Sequence, residues 1–360
     1  MSEDLNATIA GLLRDLASAQ KSTQSKWGYK RAASAVRNLD EPIESYVQAD
    51  GTLAKIKHVG PASTRVILEV LKTGKSPTVE DAIAASGNES KVEQSQMWRQ
   101  NFLTRSRVLA ALEDASLVGP SREQYRGDLQ MHSTWSDGSQ TLDAIIGEAI
   151  SRGYEYCAVT DHSYGLPIAG GLSMERFAEQ HAEIDRLNRD LAGRFRLLKG
   201  VEANIRADGT LDMTEDELRL MDIVVAAPHA VLRAPHDQTD RMVRAVETPR
   251  VHILGHPRGR MYGSRPGVSA DWARVFAAAK EKGVAIEIDG DPARQDIDYE
   301  LAKVAVASGC LFALDTDAHG TRDFDYVDTA IAHARLAGVP PDRVVNTWPL
   351  PRLLDWARSR

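Results

Sequence analysis

In the second two-thirds of this 360-residue chain, histidines and carboxylates keep recurring where a short apolar run stops. Gly127-Asp-Leu-Gln-Met runs into His132, with Asp137 five residues on. Cys157-Ala-Val-Thr ends in Asp161-His162, and Leu197-Leu-Lys-Gly-Val ends in Glu202. Ile223-Val-Val-Ala-Ala-Pro ends in His229, Val251-His-Ile-Leu-Gly in His256, and Leu311-Phe-Ala-Leu in Asp315-Thr-Asp317-Ala-His319. Imidazole nitrogens and carboxylate oxygens are the donors that zinc, manganese and iron take. One histidine after a strand is ordinarily a hydrogen-bonded packing residue. Five of them, with Asp137, Glu202 and Asp317, need partners if they are buried together, because unpaired buried charge is strongly unfavourable. A metal cluster satisfies all of them at once.

Such convergence requires elements that deliver each side chain to one rim. From about residue 126 the apolar runs alternate with helical segments, 139–152, 173–192, 270–282 and 298–308. Alternating β and α units imply a parallel sheet. Counting Val284-Ala-Ile-Glu-Ile-Asp289 gives seven strand segments, hence an α/β fold, a distorted (β/α)7 relative of the eight-fold barrel. Barrel enzymes keep their chemistry at the carboxyl ends of the strands.

The first part of the chain reads differently. Leu5, Ile9, Leu12, Leu13 and Leu16 recur at helical spacing, as do Tyr29, Ala32, Ala33 and Val36. Leu53–Leu71 reads as a helix, a tight turn at Gly60-Pro61 and a second helix, closed by Thr73-Gly74. Polar residues 86–97 read as a loop, and a further helix is expected from about Trp98 to Asp114. The division expected is therefore a helical domain over 1–85, a linker with one helix over 86–125 and a barrel over 126–360.

Formal net charge is −7, but residues 21–75 carry ten basic side chains against five acidic ones. A basic helical module joined to an acidic catalytic domain fits a polyanion held by one part and processed by the other. No apolar run has the length of a membrane span, and Met1-Ser-Glu-Asp-Leu-Asn lacks the basic-then-apolar layout of a secretory signal. Cys157 and Cys310 sit in apolar runs as core residues. A soluble cytoplasmic protein is the simplest expectation; the sequence leaves its oligomeric state open.

Residues 126–360 resemble a PHP (polymerase and histidinol phosphatase) domain, in the version appended to bacterial family X DNA polymerases. The stretches that carry the resemblance are Gly127-Asp-Leu-x-x-His-Ser-x-Trp-Ser-Asp-Gly138, Val159-Thr-Asp-His-Ser163, Leu198-Lys-Gly-Val-Glu202, Ile253-Leu-Gly-His-Pro-Arg-Gly-Arg260, Glu287-Ile-Asp289, Asp315-Thr-Asp-Ala-His319 and Val344-Val-Asn-Thr. The resemblance implies phosphoester hydrolysis by two or three divalent ions (Zn, Mn or Fe). It assigns His132, Glu202 and Asp317 to a first metal, Asp137, His162 and His319 to a second, and Glu202, His229 and His256 to a third. The family opens with His-x-His, whereas this chain has Gln130 at the first of those positions. An amide oxygen is a poor zinc ligand beside imidazole, so the first site is expected to be weakened or selective for a harder ion such as manganese.

Residues 5–85 resemble the helix-hairpin-helix domain of the same polymerases, through Trp27-Gly-Tyr-Lys-Arg-Ala-Ala33 and Ile56-Lys-His-Val-Gly-Pro61 onward. Such hairpins offer backbone N–H groups at a helix N-terminus to a DNA phosphate. The resemblance places DNA contact at Lys57, His58, Gly60, Ser63 and Arg65. His58 stands where a glycine is usual, with altered hairpin geometry as the expectation. Val66 stands where lyase-active relatives have their Schiff-base lysine, which argues against lyase chemistry. About forty residues separate the hairpin from the barrel, too few for a polymerase palm.

The implied chemistry is in-line displacement at phosphorus by a hydroxide held within the cluster. Arg260 is the candidate clamp for a non-bridging oxygen, and Asp161 and Asp128 the candidates to orient ligand imidazoles. Two readings stay open. In one, the helical domain holds DNA while the barrel trims 3′ ends as an exonuclease or 3′-phosphatase. In the other, the barrel is a small-molecule phosphomonoesterase of the histidinol-phosphatase type and the helical domain is structural.

Overall fold

A computed structural model describes residues 4–360, which form two compact units. The first holds the residues up to Glu113 together with Tyr262–Ser264; the second holds Asp114–Met261 and Arg265–Arg360.

The first unit is all-helical: α1 (Leu5–Ala19), α2 (Thr23–Arg37), α3 (Pro61–Thr73), α4 (Pro77–Ser86), α5 (Glu89–Met97) and α6 (Arg105–Glu113). The apolar stripe of α1, Ile9, Leu13 and Leu16, packs with Ala32, Ala33 and Val36 of α2 and with Val66, Ile67 and Val70 of α3 in one core. Val66 is therefore a core residue with no exposure. Asp4 caps α1 by accepting from the Ala7 amide at 3.0 Å, and Gly74, at φ +73°, ends α3 in the left-handed cap that favours glycine.

Three local expectations fail. Leu53–Lys57 is not helical. Leu53 instead pairs with Val47 across an Asp50-Gly51 turn, Gly51 having φ +80°. The turn chemistry of Asp-Gly prevails there over helical spacing. Residues 89–97 are helical rather than a loop, because Glu, Lys and Gln are good helix formers and one buried contact, Val92, suffices to dock them. The helix expected from Trp98 starts only at Arg105. Asn101 lies at φ +61°, and the Thr104 hydroxyl accepts from the Arg107 amide at 3.4 Å in capping fashion.

The second unit is a distorted (β/α)7 barrel. Its six parallel strands run in sequence order: β1 (Tyr156–Val159), β2 (Arg196–Asn204), β3 (Ile223–Ala227), β4 (Ile253–Leu254), β5 (Ala285–Asp289) and β6 (Leu311–Asp315). The seventh position belongs to residues 126–132, an irregular segment between β1 and β6. On one side the Ala158 and Thr160 amides donate to the carbonyls of Asp128 and Met131, each at 2.9 Å. On the other the His132 amide donates to Ala318 at 2.8 Å. Helices α7 (Leu142–Ser151), α8 (Met174–Leu191), the single turn α9 (Glu215–Leu218), α10 (Thr239–Glu247), α11 (Trp272–Lys282), α12 (Tyr299–Ser308), α13 (Val327–Ala337) and α14 (Leu350–Arg358) complete the unit.

Ala158, Leu198, Val225, Ile253, Ala285 and Ala313 share one apolar core with Trp348 and Leu353. Side chains alternate faces along a strand, so stepping by two from these positions moves up the barrel interior. Ala158 leads through Thr160 to His162, Leu198 through Gly200 to Glu202, Val225 through Ala227 to His229, and Ala313 through Asp315 to Asp317. The same register that fills the floor with apolar side chains sets donors on the rim. No helix among the described residues is long and apolar enough to cross a membrane.

Candidate metal centre

His132 ends the closing segment, Asp137 comes from the loop after it, His162 follows β1, and Glu202 lies within β2. His229 follows β3, His256 follows β4, and Asp317 and His319 follow β6. The eight side chains stand together. His229 Nε2 and His256 Nε2 each lie 3.0 Å from Glu202 Oε1, while His132 Nε2 and His162 Nδ1 each lie 3.2 Å from Glu202 Oε2. His132 Nε2 is also 3.0 Å from Asp317 Oδ1. Asp137 faces His132, His162 and His319 at 3.7, 3.6 and 3.5 Å. The His132 ring stacks between those of His162 and His319, both centroids 4.4 Å away.

Three sets of donors are close enough to share an ion: His132, Asp137, His162 and His319; His162, Glu202 and His229; and His132, Glu202 and Asp317. A further observation fits them to metal. The Nδ1 atoms of His132, His229 and His256 are buried without a hydrogen-bond partner, and Glu202 Oε2 and His162 Nδ1, though 3.2 Å apart, form no well-aligned hydrogen bond. Buried polar atoms ordinarily find one, and ligand lone pairs are the exception a metal explains. Asp137 and His319, about a third exposed, form the open side of the cluster.

Electrostatics follow from that crowding. Burial would raise the Glu202 pKa, but the imidazoles of His162 and His229 hold it well below the carboxylate range. Asp137 is likewise held low against its burial by His162 and His319, and Asp317 by the Arg294 guanidinium and His132. Burial works against a proton on His132, yet the Asp317 and Glu202 carboxylates raise its pKa well above the usual value. Below the cluster, burial pushes Asp315 up to about 6 and Glu287 and Asp289 well above the usual range. Glu287 accepts from the His256 backbone amide. His256 (φ +22°) and Asp317 (φ +52°) both hold positive φ, a conformation non-glycine residues adopt at a cost and often at functional sites.

Gln130 is fully buried. Its Oε1 accepts from the Thr160 hydroxyl at 2.6 Å, and its amide nitrogen has no partner.

The expected supporting residues are placed otherwise. Asp161 reaches no imidazole. Its Oδ1 accepts from the Ser133 amide (2.8 Å) and the Ser136 hydroxyl (2.5 Å), and its Oδ2 from the Ser133 hydroxyl and the Gln180 amide (both 2.6 Å). It fixes the loop that carries His132 and Asp137. Gly138 closes that loop, where an added Cβ would sit 2.5 Å from the His132 carbonyl. Asp128 accepts from the Thr316 hydroxyl at 2.6 Å, bracing the turn before Asp317.

Arg260 does not reach the rim. It is almost wholly buried, donating to Asp298 (2.9 Å) and to the carbonyls of Arg294 (3.0 Å) and Gln295 (2.8 Å). A guanidinium held among those acceptors cannot also clamp a phosphate. Sequence reasoning missed the arginine that does reach the cluster. Arg294, in the loop after β5, sets Nη2 3.1 Å from Asp317 Oδ2. Its signal was a basic residue following Glu287-Ile-Asp289, the same strand-end logic that selected the histidines.

In the helical unit, Lys57, His58, Gly60 and Arg65 are exposed, and Ser63 is buried in the first turn of α3. His58 has φ +69°, so the left-handed backbone a glycine would supply is present with an imidazole on it.

Residues 4–76 match the family of helix-hairpin-helix domains. Over 224 residues the chain is 39% identical to the DNA polymerase/3′-5′ exonuclease PolX of Bacillus subtilis, covering 62% of this chain but only 39% of that protein. It is 31% identical over 218 residues to a probable phosphatase of Thermoanaerobacter sp., covering 58% of this chain and 84% of the relative. The histidinol phosphate phosphatase of Lactococcus lactis superposes with a TM-score of 0.46 at 18% identity, covering 59% of this chain and 94% of that one.

Proposed function

Since this chain belongs to the PHP family, as a metal-dependent phosphoesterase with a helix-hairpin-helix domain, we propose that its substrate is the 3′ end of DNA, cut as a 3′-5′ exonuclease or 3′-phosphatase. The observation that carries this reading is the pairing, in one chain, of a hairpin domain with a catalytic region 39% identical to part of a protein named for polymerase and 3′-5′ exonuclease activity.

The residues that would hold the ions are His132, Asp137, His162, Glu202, His229, His256, Asp317 and His319. Divalent ions there would acidify water and neutralise charge on the phosphoryl oxygens. The chain's own part is to fix the donors. Glu202 gathers four imidazoles on its two oxygens, and Asp161 locks the 132–137 loop. Asp137 and His319 leave the cluster open on their side, where a phosphoester would approach. In the hairpin, Gly60 gives α3 no side-chain cap. Pro61 has no N–H to give, so the Ala62 and Ser63 amides of the first turn are the ones left for a phosphate oxygen, with Lys57 and Arg65 as neighbouring charges. Ser63 is better suited to packing than to contact.

A second reading draws on the 31% identity to a probable phosphatase that the chain covers over 84% of its length. In it the barrel takes small phosphomonoesters and the helical unit is structural. The two separate on one experiment: 5′-labelled single- and double-stranded DNA incubated with manganese and purified protein, with His229→Ala as control. Shortening from the 3′ end, lost in the variant, supports the nuclease. Intact DNA beside turnover of a small phosphomonoester, lost in the same variant, supports the phosphatase.

A further inference from the structure

We propose that Arg294 is a resident cation standing in for one divalent ion, so that the centre binds two metal ions rather than three. The inference rests on the metal reading above and concerns only the set His132, Glu202 and Asp317.

Both oxygens of Asp317 are engaged. Oδ1 lies 3.0 Å from His132 Nε2, and Oδ2 lies 3.1 Å from Arg294 Nη2. A guanidinium keeps its charge at any pH at which the protein is folded, so it neutralises this carboxylate permanently. A divalent ion on Asp317 would sit within a few ångströms of that fixed charge, in a site with little water to screen the repulsion.

Arg294 is not an idle surface side chain that could swing aside. Its carbonyl accepts from Arg260 Nε at 3.0 Å, and its amide donates to the Asp291 carbonyl at 2.9 Å. The next residue, Gln295, lies at φ +45°, with its carbonyl on Arg260 and its side-chain oxygen 2.8 Å from His333 Nε2. Asp289 and Asp291 flank the guanidinium at 3.9 and 3.7 Å. The loop is built to hold a positive charge at this point.

The donor set is reduced on the same side. Gln130, two residues before His132 and wholly buried, brings a neutral amide whose oxygen already accepts from Thr160. Arg294 forms its ion pair with Asp317 of this set; toward the other two sets, His132/Asp137/His162/His319 and His162/Glu202/His229, its charge bears only on Glu202.

The test is metal stoichiometry, independent of turnover. The full chain is stripped with a chelator, reloaded with excess Mn²⁺ or Zn²⁺, desalted, and assayed for metal per chain by plasma mass spectrometry. Two ions are expected in the wild type and three in Gln130→His/Arg294→Gln. Any other wild-type count overturns the proposal, as does a folded double variant that stays at two. Should the double variant fail to fold, anomalous diffraction from wild-type crystals decides. Two peaks, with none between His132, Glu202 and Asp317, are expected; a peak there sinks the proposal. A wild-type chain that binds no metal defeats the metal reading as well, whereas two bound ions without phosphoester hydrolysis leave this inference standing and overturn the proposed function.

Discussion

His256 Nε2 lies 3.0 Å from Glu202 Oε1, although one residue follows β4 and the other lies within β2, 54 positions apart. That oxygen also receives His229, so one carboxylate ties three strands to a common point. Removing its charge should cost more than any other single change. Glu202→Gln is expected to lower metal affinity and phosphoester turnover by more than the roughly 10–100-fold that even a supporting residue costs. Metal titration calorimetry and initial rates test this; a variant that keeps wild-type affinity contradicts the bridging role.

Asp161 acts through the loop rather than on the substrate. Asp161→Asn keeps one acceptor but turns the other into a donor against Ser133 and Gln180. Leaving buried partners unsatisfied costs about 1–3 kcal/mol. The expected result is a lower Tm and a metal affinity weakened about 10–100-fold, with turnover largely recovered at saturating metal. A turnover that stays low in saturating metal would falsify the positioning role.

His252 gives a pH signature. Its Nδ1 accepts from the Val224 amide at 2.9 Å, and its Nε2 lies 2.9 Å from the Ala357 carbonyl. Burial pulls its pKa down to about 3. The folded protein then binds this proton less readily than the unfolded chain, whose imidazole titrates near about 6.5. Its stabilising contribution is complete above that value and is lost as pH falls from about 6.5 toward 3, with a limiting slope of about 1.4 kcal/mol per pH unit. In urea unfolding, the stability gap between wild type and His252→Asn should therefore narrow between pH 7 and pH 4. A constant gap would show that the imidazole does not titrate differently on unfolding.

If α3 and its preceding turn hold DNA, Lys57→Ala and Arg65→Ala should weaken binding to all sequences alike. Each should reduce the slope of log affinity against log salt by about 1 or less. Fluorescence anisotropy with a single-stranded oligonucleotide at several salt concentrations measures both quantities. Unchanged slopes would move the DNA contact elsewhere or remove it.

Much of this protein is written locally. The apolar runs and their terminal histidines are legible because period-two alternation puts a floor residue and a rim residue on the same face of a strand, as Leu198 and Glu202 show. Helix ends are legible where a cap residue has one preferred geometry, as at Gly74. Arg260 and Arg294 could not be sorted by sequence. Both follow strands of the barrel, and both carry the same group. Which one enters the cluster depends on where irregular loops turn, and those turns are set by distant partners: Asp298 draws Arg260 inward, and Asp317 meets Arg294. Residues 89–97 tell the same story, polar in composition yet helical once Val92 has a place to dock. Strand register is a short-range property, so the sequence alone determined the ring of donors. The direction of a loop side chain is a long-range one, so only the tertiary structure decided which charge joins them.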